Sequence, residues 1–159
     1  MFTKIRFLFY FYYNFYDLID AKINRGLIFK LVEIQKKIGI KRRLHKLGLD
    51  LYGGDTWWSL NREALEYVVN YTNKKPNFFR RMRFTFCSEE IYFQTLIMNS
   101  HFASKTKNNS LRYIDWTDRN GNFPANLDAS DYIKMKKSDK IFARKFENTI
   151  SEKLKIMIN

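Results

Sequence analysis

Few stretches of this chain alternate as β-strands do, and that scarcity restricts the folds open to it more than any other feature. Among its 159 residues, strand-like patterning is confined to 83–87 (RFTFC) and 111–116 (LRYIDW). Trp57–Leu60 adds a short apolar stretch that reads as extended. Most of the remainder has helical spacing. The expected class is therefore α/β, helices with a few short strands and no complete parallel sheet. That is too little sheet for a self-sufficient α/β fold.

Helix signals punctuate the chain clearly. Leu18, Ile19, Ile23, Leu27, Leu31, Ile34 and Ile38 recur near a 3.6-residue period, predicting a helix over 17–38 that Gly39 stops. A basic loop runs on to Asp50, and Tyr52-Gly53-Gly54-Asp55 is a turn signal. Asn61 is placed to cap a helix over 61–71 whose apolar face is Ala64, Leu65, Val68 and Val69. Lys74-Lys75-Pro76-Asn77 breaks it. Ser88 is then expected to cap a helix over 89–99, with Glu89 and Glu90 in its first turn. Its buried side is Ile91, Phe93, Leu96 and Ile97. A polar loop at 101–110 precedes the second strand, and a Gly/Asn/Pro loop at 118–127 follows it. Asp128 or Ser130 starts a short helix near 130–137. An amphipathic helix over 149–158, carrying Ile150, Leu154 and Met157, ends the chain. There is no internal repeat and no linker.

Charge narrows the partners. The 29 Lys and Arg against 16 Asp and Glu leave +13, which favours polyanions: nucleic acid, an anionic membrane or a phosphorylated donor. The cations gather at 36–46, 74–83 and 134–145. One cysteine excludes a disulfide scaffold and a multi-cysteine zinc site, and fits a reducing compartment. Nine aromatic residues crowd the first twenty. That run is too short to span a bilayer and lacks the cleavage site of a signal peptide. An interfacial anchor and a buried helix awaiting a partner both fit it.

Few residues offer chemistry. Gly53-Gly54 is a turn and not a phosphate loop, and no metal-ligand spacing appears. His45 and His101 read as surface residues. Cys87, beside a helix start, is a packed thiol or a nucleophile. Asp115 and Asp118 are a strand end and a turn, or two cation ligands. Glu89 and Glu90 are dipole partners of their helix, or one of them is a general base held rigidly at a helix start. Trp57, Trp58 and Trp116 are core residues or stacking faces for sugars.

Gly54–Ala64 (GDTWWSLNREA) resembles the "GSxWWSLTREAVEYIL" stretch of glycosyltransferase family 14, the core-2/I-branching and peptide O-xylosyltransferase enzymes. Phe86–Leu96 (FCSEEIYFQTL) is similar to that family's "FCPDExFFQTLL". Asn109–Trp116 with Phe142–Glu147 is similar to "NLRYIDW" and "FARKFD". Four segments in family order cover about residues 35–150 of one partial domain, 1–159, that starts with the aromatic segment 1–20. Ser88 and Glu89 replace the motif's Pro and Asp, and Ser88 is the better cap.

The resemblance implies the C-terminal half of a GT-A type domain. It implies inverting, metal-independent transfer of GlcNAc or xylose from UDP-GlcNAc or UDP-xylose to a hydroxyl of a glycan or protein. Glu90 maps to the catalytic base. Lys145, with Arg144, maps to the donor diphosphate, and Arg112 or Arg119 is a further cation for it. Trp57, Trp58 and Trp116 become candidates for lining the sugar site. No cofactor or metal is expected, and no nucleic acid. The single cysteine suggests a bacterial-type protein of the cytoplasm, peripheral at the inner membrane face. The family's first βα units lie before the matching region, so exposed apolar faces, marginal stability and self-association are expected. The rival reading is a non-catalytic basic module on an anionic membrane or nucleic acid.

Overall fold

The computed structural model describes residues 3–4, 12–13, 15, 18–20, 23–40, 48–85, 87–119 and 121–159. The basic stretch 41–47 with His45, most of the aromatic N-terminus, and Phe86 lie outside the described residues. The chain forms two compact units, Met1–Asn108 and Asn109–Asn159.

In the first unit, β1 (Thr3–Lys4) pairs antiparallel with β2 (Tyr52–Gly53). Helix α1 is Arg25–Lys37, α2 Arg62–Lys74, α3 Pro76–Met82 and α4 Glu89–Met98. The α1 helix starts later than its apolar period predicts, and residues 18–19 form a turn. Gly39 follows it with φ of 74°, a conformation that favours glycine over any residue bearing a Cβ. Gln35 ties α1 to the N-terminal segment. Its side-chain oxygen accepts from Tyr13 N at 2.8 Å, and its amide donates to Tyr13 O at 2.7 Å.

The α2 start is as the sequence predicts, for Asn61 Oδ1 accepts from Ala64 N at 2.9 Å. Its predicted apolar face is only half engaged: Ala64 and Val68 are buried, while Leu65 and Val69 are exposed. Pro76 does not end helical structure. It takes the first position of α3, where its missing N–H costs nothing. The strand expected at 83–87 is absent from the described residues there. Arg83 closes α3 and Phe84 and Cys87 take positive φ of 60° and 48°, values no strand contains. Helices α2, α3 and α4 share one core, with Phe78, Ile91 and Leu96 almost wholly buried. Each such side chain contributes about 1.5–3 kcal/mol through the apolar area it removes from water.

In the second unit, β3 (Arg112–Ile114) and β4 (Phe142–Arg144) pair in parallel, with Tyr113 opposite Ala143. Between them lie a 3₁₀ turn at Ala129–Asp131 and α5 (Tyr132–Lys137). Asp128 caps that turn reciprocally with Asp131. The chain ends in α6 (Glu152–Ile158), shorter than 149–158 because the Glu147 carboxylate accepts from the backbone of Thr149 and Ile150. Leu154 is buried, Ile150 half-buried and Met157 exposed. Ser151 anchors α6, donating to Leu127 O at 2.6 Å and accepting from Glu147 N at 3.0 Å.

Candidate active site

In the first unit the site is built where α4 grips the segment Asp50–Asp55. Along that helix, polar side chains take the place a neighbouring strand would have. Thr95 Oγ1 accepts from Tyr52 N at 3.0 Å and donates to Tyr52 O at 3.2 Å. The Asn99 amide exchanges two bonds with the Asp50 backbone, at 3.1 and 2.7 Å. Gln94 Nε2 donates to Asp55 O at 2.8 Å and Gly54 O at 3.3 Å, and Gly54 N donates to Glu90 O at 2.9 Å. These bonds fix the glycine turn against the first turn of α4. Sequence reasoning passed over Gln94, Thr95 and Asn99. Their signal was there: polar residues set within an otherwise apolar helix.

This arrangement brings Asp55 near Glu90. The Glu90 carboxyl is half-buried and its pKa is raised, by burial first, then by the Glu89 charge and then by Asp55. Ser88 precedes α4 as predicted, but its own backbone is helical (φ −60°, ψ −27°) and its side chain makes no capping bond. The Cys87 thiol is pushed up to about 12, chiefly by burial, with Glu90 and Glu89 adding to it. A thiol so hard to ionise is packed rather than poised for attack. Cys87, Glu89 and Glu90 bring their donor atoms within 4.8 Å of one another, a proximity that spacing alone did not reveal.

Trp58 packs on Phe93 of α4, ring centres 4.3 Å apart. Trp57 is exposed at 41%. His101 is exposed and its ring lies tilted against Phe102, centres 4.0 Å apart.

In the second unit, Arg112 and Arg144 lie on the paired strands β3 and β4. Arg112 Nη1 donates to Ser110 O at 2.9 Å, and its guanidinium lies 4.8 Å from the Phe142 ring centre. Lys145 is half-buried, and its carbonyl accepts from Leu127 N at 2.8 Å. Trp116 and Phe123 form an exposed pair 5.8 Å apart.

Arg119 has a different setting. It bonds the wholly buried Asp131, with Asp115 at 3.5 Å and Asp128 at 3.6 Å, and donates to Asn126 O at 3.2 Å. Asp131 bonding is the largest influence that raises its pKa. Arg119 thus organises the 115–131 loop, and Asp115 is its partner.

Residues 20–141 match the Core-2/I-branching enzyme family, and the chain belongs to it. It is 30% identical over 118 residues to the β-glucuronosyltransferase GlcAT14A of Arabidopsis thaliana, covering 72% of this chain and 26% of that protein. It is likewise 30% identical over 108 residues to GlcAT14B of the same plant, covering 67% of this chain and 25% of the relative. Xylosyltransferase 2 of Mus musculus is 26% identical over 123 residues, covering 67% of this chain and 14% of the relative. The chain therefore spans about a quarter or less of the length of these relatives. They are plant and mammalian proteins and lend nothing to the expected bacterial type. No solved structure matches. Mixed helices and few strands agree with a partial GT-A-like domain.

Proposed function

We propose that this chain carries the acceptor-activating base and the diphosphate-binding cations of an inverting glycosyl transfer from a UDP-sugar. Glu90 is the observation that carries the reading. It stands at the rigid start of α4, held to the glycine turn through its carbonyl, with a carboxyl whose pKa is raised by burial and two neighbouring carboxylates. A base with a raised pKa takes a proton more readily than an ordinary glutamate.

In the proposed step a Glu90 carboxylate oxygen takes the acceptor's hydroxyl proton as that hydroxyl's oxygen bonds the anomeric carbon. The bond from that carbon to the diphosphate breaks, and its electron pair leaves with UDP. Lys145 and Arg144, with Arg112 as a third cation, offset the charge that gathers on the leaving group. Fixed cations make a divalent ion unnecessary. Trp57, Trp58 and Trp116 are proposed to line the sugar site. GlcNAc and xylose are the donors drawn from motif resemblance, and the names of the plant relatives add a glucuronosyl donor. The acceptor is a hydroxyl of a glycan or protein.

Glu90→Gln keeps the shape and loses the base. In any preparation of this chain that transfers sugar, it should cost about 10²–10⁴-fold in rate. Near-full activity in Glu90→Gln, with loss in Glu89→Gln, would move the base by one residue. Over pH, the acid limb of kcat/KM should lie above the ordinary glutamate range. EDTA should leave the rate unchanged, and a strict Mn²⁺ requirement would overturn the metal-free mechanism. Calorimetry with UDP should read weaker binding for Lys145→Ala, and unchanged affinity would remove that residue from the donor site.

A further inference from the structure

We propose that helix α1 is a docking face for an anionic lipid surface. Ile28, Val32 and Gln35 occupy its buried side. Beside that side runs a second apolar stripe, Leu27, Leu31, Ile34 and Ile38, spaced four, three and four residues apart and so aligned along the helix. Leu31 is half-buried. Leu27, Ile34 and Ile38 are exposed at 49%, 52% and 63%. Monomeric surfaces seldom leave large aliphatic side chains aligned in water without a use for them.

Charge selects the occupant. Lys30 and Lys37, both exposed, border the stripe on its solvent side. Arg25 and Lys36 lie elsewhere on α1, which carries one acid, Glu33, already bonded to Lys36 at 2.7 Å. In sequence, Lys41, Arg42, Arg43 and Lys46 follow directly. An apolar stripe bordered by cations is what a helix lying in a headgroup layer needs: aliphatic side chains enter the acyl boundary and cations meet lipid phosphates. A second copy of this chain is the poorer occupant, because paired α1 helices would set lysines near lysines with no spare carboxylate on the helix to meet them. No helix among the described residues is long and apolar enough to cross a membrane, so the contact is peripheral.

The test is cosedimentation of the 159-residue chain with vesicles of equimolar phosphatidylserine and phosphatidylcholine, and with pure phosphatidylcholine. Binding should favour the anionic vesicles and weaken as salt is added. Leu27→Gln/Ile34→Gln/Ile38→Gln alters only exposed positions and keeps good helix formers, so circular dichroism should be unchanged while binding is lost. Lys30→Glu/Lys37→Glu should weaken it by at least about fivefold for each charge removed. Failure of the unaltered chain to bind anionic vesicles would overturn the proposal. So would triple-variant binding equal to that of the unaltered chain, since the contact would then lie elsewhere. Analytical ultracentrifugation without lipid supplies the remaining outcome: a dimer that the triple variant abolishes would make a second copy the occupant.

Discussion

Glu90 and Cys87 each have a raised pKa whose consequence a measurement can read. The folded pKa of Glu90 lies above its unfolded value, so the folded chain binds more protons in the window between the two. Stability therefore falls as pH rises from the ordinary glutamate range through the raised value. Glu90→Gln removes that loss. Its melting temperature should exceed that of the unaltered chain at neutral pH, and the difference should vanish in acid below the glutamate range. Cys87, pushed up to about 12, should resist iodoacetamide near neutrality and react normally once denaturant unfolds the chain. The place of Glu90 in the first turn of α4 was legible, because local sequence carries a helix start and the residues that open it. The company it keeps was not. Gly54 N bonds the Glu90 carbonyl and Gln94 holds the Asp55 backbone, tertiary bonds between distant segments that no spacing rule encodes.

At the scale of elements, the 115–131 loop depends on one guanidinium. Asp131 is wholly buried and bonded to Arg119, so Asp131→Asn should destabilise the second unit by about 3 kcal/mol, read by urea unfolding. Asp115 and Asp128 have lowered pKa values, led by bonds from Thr117 and Ser130 respectively, with Arg119 contributing to both. Their contribution is present above the ordinary aspartate range and is lost as pH falls through the lowered values, so the second unit should loosen in acid. Thr95→Val breaks both bonds to Tyr52 and should cost the first unit about 1–3 kcal/mol, with the loss read in the same way. The strand misjudged by pattern and the helix start missed by it have physical explanations. RFTFC alternates, yet the positive φ of Phe84 and Cys87 bends it into turns, and alternation says nothing of backbone sign. Lys75-Pro76 breaks α2 as read, but the same proline starts α3, since a proline's fixed φ suits a first helical turn as well as a loop. Asn61 and Asp128 were legible because a cap is a local bond between neighbours in sequence.

For the whole molecule, a net charge of +13 opposes association while exposed apolar side chains favour it. Leu65 and Val69 on α2 and Leu27, Ile34 and Ile38 on α1 face water together with Ile141 and Phe142 in the second unit. Gel filtration should therefore read monomer at low salt and larger species as salt screens the repulsion. The parallel pairing of β3 with β4 also has a consequence in time. Arg112 meets Phe142 only after the intervening loop, 3₁₀ turn and α5 have been brought back on themselves. Closing so long a loop costs entropy before the strand bonds return anything, whereas the Asp128–Asp131 turn is local and forms at little such cost. The turn should thus be made in the folding transition state and α6 docked after it. In stopped-flow refolding, Asp128→Ala should slow folding, while Leu154→Ala should act mainly by hastening unfolding.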